Sequence, residues 1–403
     1  MEYTARVTPD IAYSAADVDR VMRWGFGWEI GPFAIMEALG MDASRRPAEA
    51  VARQDAPPAP DVARRLQPSD LLILKAARDR NKIVRKNAGA SLVDLGDGVL
   101  ALEFHSKMNA LGGDQIQMIH AGVKEAAANF AALVVGNDAA NFSAGANLML
   151  LLLEAQEGNW DEIDLMIRAF QASTQALRFA DVPVVVAPAG LTLGGGCEIA
   201  LHGDRVQAAA ESYIGLVEVG VGLIPGGGGT KEMLARAVHG LPANHPDLLP
   251  FVQRAFETIG FARVSTSAVE ARTLGFLGDA DRVTMNRERV MADAKAYALE
   301  RVEEGYQRPA PRTAIPVGGE TTLAALKLGV HLAWRAGRIS DHDAVVGRAL
   351  ANVLAGGALP HQTVVGEQYL LDLEREAFLK LCGERKTLER IQHTLKTGGT
   401  LRN

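Results

Sequence analysis

Three glycine-rich turns, each leading into a helical pattern, constrain the fold of this chain more than any other sequence feature. They are F-S-A-G-A-N at 142–147, G-L-T-L-G-G-G-C-E at 190–198 and I-P-G-G-G-G-T at 224–230. The first follows the apolar run 133–135 and the second follows the apolar run 182–187, so both join a short buried strand to a helix. This alternation predicts an α/β fold with covered strands.

The composition excludes several classes of protein. The chain has 403 residues, of which 48% are hydrophobic, and a net charge of −6. Such a chain is globular with roughly two to three domains, and it lacks the basic surface that nucleic acid requires. Its two cysteines, Cys197 and Cys382, lie in unrelated contexts, which fits a reducing compartment. The start lacks a signal-peptide pattern, and no apolar run approaches the roughly 20 residues of a membrane span. We therefore expect a cytoplasmic protein without a membrane span.

Changes in composition along the chain predict four regions. Residues 1–40 show a helical pattern, a turn rich in aromatic residues and glycine, and a short apolar helix, which are too little to bury a core alone. Residues 41–66 are rich in Ala, Pro and Arg and are typical of a linker. A dense globular region follows at 67–310, and a helical C-terminal extension occupies 311–403.

Within these regions, the periodicity predicts a hairpin followed by alternating strands and helices. Two apolar runs at 91–95 and 99–104 flank the turn G-D-G at 96–98, which predicts a β-hairpin. Beyond about residue 246 the pattern is almost wholly helical. The predicted helices are 115–132, 160–179, 247–258, 268–275, 286–304, 320–336, 341–355 and 364–396.

Glu198 and Glu218 each lie beside a glycine-rich segment. A buried carboxylate pair is costly unless its protons are used, and glycines at a helix N-terminus leave backbone N–H groups open to a ligand. The pattern therefore indicates a site that moves a proton beside a carbonyl while backbone donors hold the developing oxyanion. Each motif alone also fits a plainer structure: a tight turn, close packing of two backbones or, for Glu218, an exposed or capping residue.

Nucleotide and metal sites lack their usual motifs. The third turn reads G-T-K where a phosphate loop needs G-K-[S/T], and no G-x-G-x-x-G occurs. The histidines form no H-E-x-x-H pattern. We expect no metal, no separate cofactor and no nucleic-acid partner.

Taken together, the motifs between Ala90 and Leu277 resemble the enoyl-CoA hydratase (crotonase) superfamily. The resemblance rests on K-M-N-A-L at 107–111, on the first two glycine-rich turns, on E-V-G-V-G-L-I-P-G-G-G-G-T at 218–230 and on A-V-E-A-R-T-L-G-F-L at 268–277. It implies a spiral of repeated ββα units with an extended helical C-terminal region and a small helical N-terminal segment.

By position, the resemblance also implies roles for individual residues. Ala146 and Gly195 correspond to the two oxyanion N–H donors, and Glu198 and Glu218 correspond to the two catalytic carboxylates, to which we assign the roles of base and acid respectively. Asn147 departs from the family, which usually has Asp there. The residues implied to lie along the coenzyme A and oxyanion region are Lys107, Asn109, Ala110, Leu111, Ala144, Gly145, Gly194 and Gly226.

Residues 1–40 resemble a different family. Their segment W-G-F-G-W-E-I-G-P-F is similar to the last part of the C-terminal helical domain of 3-hydroxyacyl-CoA dehydrogenases. The two resemblances together imply the C-terminal portion of a bifunctional fatty-acid oxidation protein, in which a dehydrogenase remnant precedes the hydratase and the NAD-binding part is absent.

The implied function is a 2-enoyl-CoA hydratase of fatty-acid β-oxidation, with coenzyme A present only as part of the acyl-CoA substrate. Two alternatives stay open: a Δ3,Δ2-enoyl-CoA isomerase, which can work with one carboxylate at Glu218, and a non-catalytic acyl-CoA-binding scaffold. The resemblance further implies a homo-oligomer, either a trimer or a dimer of trimers, and a thiolase or dehydrogenase partner. The aromatic residues of 1–40 are expected to lie against the helices beyond about residue 320.

Overall fold

The structure, a computed structural model, describes residues 2–12, 14–40 and 71–403. The chain divides into two compact units, Met1–Gln67 and Pro68–Asn403. The predicted linker at 41–66 lies outside the described residues, and the predicted domain boundaries stay predictions. So does the expected packing of the N-terminal aromatic residues.

The first unit contains three short helices, α1 (Glu2–Ile11), α2 (Ala15–Phe26) and α3 (Pro32–Ala38). The carboxylate of Asp19 on α2 accepts hydrogen bonds from the backbone N–H groups of Phe33 (2.8 Å) and Ala34 (3.0 Å). These bonds satisfy N–H groups that the first turn of a helix leaves without partners. The two helices predicted within 1–40 are confirmed, and α1 is an addition to them.

In the second unit, strands and helices alternate through the first half, and helices dominate the second half. The strands are β1 (Ile83–Lys86), β2 (Ala90–Asp94), β3 (Val99–Phe104), β4 (Ala132–Gly136), β5 (Val184–Ala187), β6 (Gly190–Leu193), β7 (Arg205–Ala209), β8 (Ser212–Gly215), β9 (Arg282–Thr284), β10 (Ile315–Val317) and β11 (Thr363–Val365). The helices are α4 (Ile73–Asp79), α5 (Gly113–Asn129), α6 (Leu148–Glu157), α7 (Trp160–Arg178), α8 (Gly195–Leu201), α9 (Gly229–Ala237), α10 (Leu249–Gly260), α11 (Ala268–Thr273), α12 (Val290–Glu303), α13 (Gly319–Arg335), α14 (Asp341–Leu354), α15 (Glu367–Cys382) and α16 (Arg385–Thr397). Short 3₁₀ helices occupy Lys107–Asn109, Glu218–Val221 and Arg287–Arg289.

A seven-stranded sheet with the order β1-β2-β3-β4-β5-β7-β9 forms the centre of the second unit. Strands β1 to β3 are antiparallel, whereas β3, β4, β5, β7 and β9 are parallel. Successive residues of a strand face opposite sides, so Leu102 of β3 packs in the core that includes Met118 of α5. Its neighbour Ala101 packs in the core that includes Met291 of α12. The predicted α/β fold with covered strands is confirmed, and the structure shows that helices pack on both faces of the sheet.

A second layer, which consists of short parallel strand pairs and isolated bridges, contains two of the glycine-rich turns. Strand β6 pairs with β8 in parallel, and isolated bridges join Ser143 to Thr192 and Leu111 to Ala146. The N–H of Leu193 donates to the carbonyl oxygen of Ser143 (3.0 Å). Backbone pairing therefore brings turns that are distant in the sequence to one place.

The C-terminal helices pack on the helices that follow the glycine-rich turns. Helix α15 contacts α7, α9 and α14, and helix α16 contacts α6 and the 3₁₀ helix Glu218–Val221. The region beyond 246 is less uniformly helical than predicted, because it contains β9, β10 and β11. The predicted helix 364–396 is wrong as one element, since α15 and α16 are separated at Gly383 and Glu384.

The hairpin predicted around 96–98 is confirmed, with Leu92 of β2 opposite Leu102 of β3. Helix α8 begins at Gly195, so the glycines form its first turn. Strands β6 and β8 were not predicted, because four residues rich in small side chains give little periodic signal. No helix within the described segments is both long and apolar enough to cross a membrane.

Candidate active site

Glu198 lies in the first turn of α8 and is 2% exposed. Its Oε1 accepts hydrogen bonds from the backbone N–H groups of Gly227 and Gly229, both at 2.8 Å. This approach requires glycine, because a Cβ at Gly229 would lie 2.9 Å from Glu198 Oε1, and a Cβ at Gly227 would lie 2.3 Å from the ring of Phe170. The loop before α9 therefore binds a carboxylate of the protein itself.

The environment of Glu198 sets its protonation near neutral pH. Burial raises the pKa of Glu198, and the hydrogen bonds from Gly229 and Gly227 and the charge of Lys231 lower it, with a balance at about 7. Glu198 can therefore exchange a proton at physiological pH.

Glu218 begins the 3₁₀ helix that follows β8, and its carboxylate lies against Gly194. Gly194 has a φ of +53°, and a Cβ there would lie 2.9 Å from Glu218 Oε1. Glu218 Oε2 is covered and has no hydrogen-bond partner among the residues that the structure describes. Burial, and then the charge of Glu198, raise the pKa of Glu218 well above its usual value. Glu218 is therefore the protonated member of the pair at neutral pH.

The N–H groups of Ala146 and Gly195 lie on adjacent turns. Gly145 has a φ of +101°, and a Cβ there would lie 3.8 Å from the backbone nitrogen of Gly195. Within the described part of the chain, neither Ala146 N–H nor Gly195 N–H donates a hydrogen bond. The two predicted oxyanion donors are therefore unused, and Gly195 is at the N-terminus of α8, where the helix dipole favours negative charge.

Several other predicted residues form hydrogen bonds in or next to the first of these turns. Leu111 N–H donates to the carbonyl oxygen of Gly145 (2.8 Å), and Ala144 N–H donates to the carbonyl oxygen of Met108 (3.1 Å). The buried Asn109 donates its side-chain amide to the carbonyl oxygen of Asn141 (2.9 Å). The segment 107–111 thus supports the first turn through hydrogen bonds.

Three more predicted residues differ in exposure and packing. Lys107 is exposed and Ala110 is half-buried. Gly226 packs against a ring from α15, since a Cβ there would lie 2.8 Å from Phe378 Cδ2. Gly226 therefore supports the contact between the loop and the C-terminal helices.

Asn147, where the family usually has Asp, is the N-cap of α6. Its Oδ1 accepts a hydrogen bond from the backbone N–H of Met149 (3.2 Å). An amide oxygen thus performs the capping that a carboxylate oxygen would perform.

Sequence reasoning missed two residues of the site, Phe170 and Glu374. The Phe170 ring lies between two glycine turns, since a Cβ at Gly195 would be 3.0 Å from its Cζ. Glu374 on α15 accepts backbone hydrogen bonds from the same loop as Glu198. Both lie within ordinary helical patterns, so nothing local distinguishes them.

A network of buried charges lies behind the loop. Lys231 Nζ lies 3.0 Å from Glu232 Oε2 and 3.1 Å from His202 Nε2. Burial lowers the pKa of His202 well below its usual value, so the neutral ring donates from Nδ1 to the carbonyl oxygen of Glu198 (2.6 Å). Arg312 also binds Glu232 through two hydrogen bonds of 2.8 and 3.0 Å. The network connects α8, α9 and the C-terminal region.

An apolar cavity of about 350 Å³ begins at Val219 and Gly220, directly after Glu218. Its other walls come from α10, α13 and α14, and neither Glu198 nor Glu218 lines it. Among the described residues, no group of three or more His, Cys, Asp or Glu side chains could hold a metal ion. The carboxylates and backbone donors are therefore the chemically distinctive groups of the site.

Two family models match the chain. Residues 95–245 match the model described as enoyl-CoA hydratase/isomerase, and residues 2–80 match the C-terminal domain of 3-hydroxyacyl-CoA dehydrogenase. These matches agree with the two resemblances found in the sequence.

Relatives align with the whole chain. A Bacillus subtilis (strain 168) protein described as a probable 3-hydroxyacyl-CoA dehydrogenase is 42% identical over 100% of this chain and 53% of its own length. A Rickettsia felis protein, described as a candidate trifunctional enzyme of the fatty acid oxidation complex, is 25% identical over 98% of this chain and 51% of its own length. The chain thus spans about half the length of the curated relatives it matches.

The fold is also similar to a solved structure. The crystal structure of an enoyl-CoA hydratase from Bacillus halodurans superposes with a TM-score of 0.51 at 15% identity, covering 76% of this chain and 100% of that one. The expected crotonase architecture is confirmed. The chain therefore has a crotonase-like fold, its residues 95–245 are similar to the enoyl-CoA hydratase/isomerase family, and its residues 2–80 match the C-terminal domain of 3-hydroxyacyl-CoA dehydrogenase.

Proposed function

We propose that this chain is an enoyl-CoA hydratase that adds water to trans-2-enoyl-CoA. One observation carries the proposal: two carboxyl groups of different pKa, that of the buried Glu198 and that of the half-buried Glu218, lie beside glycine turns, and the N–H groups of Ala146 and Gly195 on these turns are unused. The family match over 95–245 supports the same class of chemistry.

In the proposed mechanism, the thioester oxygen accepts hydrogen bonds from the N–H groups of Ala146 and Gly195. Glu198 removes a proton from a water molecule while the water oxygen bonds to the β-carbon. The electron pair of the double bond moves toward the thioester, and the two N–H groups stabilise the resulting enolate oxygen. Glu218 then donates its proton to the α-carbon. Glu198 has then gained a proton and Glu218 has lost one. Proton exchange between the two residues, or with solvent, restores the starting protonation of the pair.

The division of roles follows from the pKa directions. With a pKa of about 7, Glu198 is ionised in a large share of molecules near neutral pH, while Glu218 keeps its proton. The two groups interact, so the measured pKa values belong to the pair. This supports Glu198 as base and Glu218 as acid.

The test is hydration of crotonyl-CoA by Glu198→Gln and Glu218→Gln variants. Each change removes one proton-transfer group and keeps its size, so kcat is expected to fall roughly 10²–10⁴-fold while acyl-CoA binding persists. Glu162→Gln, at an exposed position of α7, is the matched control. Near-wild-type turnover in either site variant contradicts the proposal. A chain-length series of enoyl-CoA substrates then measures the acyl preference.

The second candidate function is Δ3,Δ2-enoyl-CoA isomerisation. It is favoured by the position of Glu218 against Gly194, since its carboxyl group, in the ionised form, can take a proton from the α-carbon of a 3-enoyl-CoA and return it to the γ-carbon as a single proton shuttle. Separate assays with trans-2-enoyl-CoA and 3-enoyl-CoA distinguish the two reactions. Acyl-CoA binding without turnover of either substrate would instead support the non-catalytic scaffold.

We further propose that the 3-hydroxyacyl-CoA product passes to a dehydrogenase in fatty-acid oxidation. The match of residues 2–80 and the description of the Bacillus subtilis relative support this. A cytoplasmic location, a trimer or dimer of trimers, and a thiolase partner stay predictions. Light scattering of the purified chain would measure its oligomeric state.

A further inference from the structure

A third buried carboxylate holds the glycine loop that binds Glu198. Glu374, on α15, is 0% exposed. Its Oε1 accepts a hydrogen bond from the N–H of Gly228 (2.5 Å), and its Oε2 accepts hydrogen bonds from the N–H groups of Thr230 (2.9 Å) and Lys231 (3.1 Å). Glu374 thus caps the N-terminus of α9 from a helix that is distant in the sequence.

Successive N–H groups of the loop alternate between the two carboxylates. Gly227 and Gly229 donate to Glu198, whereas Gly228 donates to Glu374. Gly228 has a φ of +101°, a backbone conformation that glycine adopts readily. The loop is therefore bound from two sides by two carboxyl groups.

The chemistry of the contact suits a carboxyl group with two acceptor oxygens. Three N–H donors converge on both oxygens of Glu374, which the ionised form accepts best. Burial, and then the charge of Glu198, raise the pKa of Glu374 to about 8, and the hydrogen bonds from Gly228 and Lys231 lower it. A glutamine would direct its NH₂ group at one set of these donors. The charged and titratable groups around Glu374 are Glu198 on α8, Glu218 on the 3₁₀ helix and Lys231 on α9.

We propose that Glu374 is a positioning residue for the hydration reaction, which keeps the N–H groups of Gly227 and Gly229 on Glu198 and so orients the carboxylate that activates water. The inference rests on the proposed function and assigns to α15 a part in the site. Glu374 acts through the loop and through Glu198, so its loss affects the chemical step more than acyl-CoA binding.

The experiment compares Glu374→Gln and Glu374→Asp in the full chain, with Glu376→Gln as control. Glu376 lies on the same helix, is exposed and pairs with Lys380. Glu374→Gln is expected to lower kcat for crotonyl-CoA roughly 10²-fold, because small displacements of catalytic groups have effects of this size. KM is expected to change by less than about threefold. Glu374→Asp keeps two acceptor oxygens on a shorter arm and should restore part of kcat.

Two further measurements separate positioning from a general loss of structure. Amide hydrogen exchange should become faster at 226–231 in Glu374→Gln and stay unchanged in Glu376→Gln. In a Glu198→Gln background, Glu374→Gln should lower kcat by less than about threefold, because residues that act through one another are non-additive.

The positioning role would be overturned if Glu374→Gln left kcat unchanged. It would also be overturned if Glu374→Gln lowered kcat by the same factor in the wild-type and Glu198→Gln backgrounds. A wild-type chain that hydrates no enoyl-CoA would contradict the proposed function itself. If the wild type is active but the effects of Glu374→Gln and Glu198→Gln on kcat are additive, only the role of Glu374 is contradicted.

Discussion

At the scale of single residues, two glutamates acquire different protonation because their neighbours differ. Glu198 accepts two backbone hydrogen bonds that favour its ionised form, and its pKa is about 7. Glu218 has one oxygen without a donor and lies near the charge of Glu198, and its pKa is well above the usual value. An ionised base and a protonated acid can therefore coexist near neutral pH.

The pH dependence of hydration follows from these directions. Below a pH of about 7, Glu198 is protonated and cannot accept a proton from water, so kcat/KM is expected to fall as the pH decreases. At higher pH, ionisation of Glu218 removes the acid and kcat/KM falls again.

Crotonyl-CoA hydration measured across the pH range should therefore give a bell-shaped kcat/KM profile with an acid limb near 7. Glu162→Gln should keep this profile. An acid limb near 4.5, the ordinary value for glutamate, would mean that burial does not control Glu198.

The site residues differ in how far the sequence could predict them. Glu198 and Glu218 carry a signal because each lies beside a glycine-rich segment, and the structure brings them close enough that the charge of Glu198 raises the pKa of Glu218. Glu374 carries no such signal, since its contact with Gly228 joins residues 146 positions apart.

At the scale of elements, α6 begins directly after the turn that contains Ala146. Asn147 caps this helix through Met149 N–H, so the cap and the proposed oxyanion donor are neighbours in the chain. Any change in the start of α6 is therefore transmitted to the turn.

Asn147→Ala removes the cap and is expected to lower the free energy of unfolding by about 1 kcal/mol, with a further loss of kcat. Asn147→Asp keeps an acceptor oxygen, and its charge is favourable at a helix N-terminus, so it should stay close to wild type. Urea unfolding and crotonyl-CoA hydration check both variants. Equal stability of Asn147→Ala and wild type would show that the cap contributes nothing.

Elements with strong periodicity were predictable and very short ones were not. Helices such as α7 (Trp160–Arg178) place apolar residues on one face over five turns, which is a clear local signal. Strands such as β10 (Ile315–Val317) are three residues long and exist because β11 pairs with them.

At the scale of the whole molecule, all residues of the candidate site lie in the second unit, Pro68–Asn403. The C-terminal helices of that unit complete the site, because α15 supplies Glu374 and α16 packs on the 3₁₀ helix that Glu218 begins. The C-terminal helices therefore belong to the same compact unit as the candidate site.

Deletion of residues 2–67 is expected to leave hydration within about twofold of the full chain, because compact units with their own core fold independently. Crotonyl-CoA turnover and circular dichroism of both chains measure this, with Glu198→Gln in the shortened chain as the inactive control. A folded but inactive shortened chain would show that the first unit contributes to the reaction.

The sequence by itself determined the class of fold, the hairpin and most helices, and it identified the two glutamates beside the glycine turns as candidate site residues. This was possible because periodicity and glycine runs are local signals. Only the tertiary structure decided which groups surround each carboxylate. Burial, the hydrogen bonds from Gly227 and Gly229, and the approach of Glu374 all come from segments distant in the chain. The pKa of a carboxyl group depends on those surroundings, so its protonation could not be read from the residues next to it.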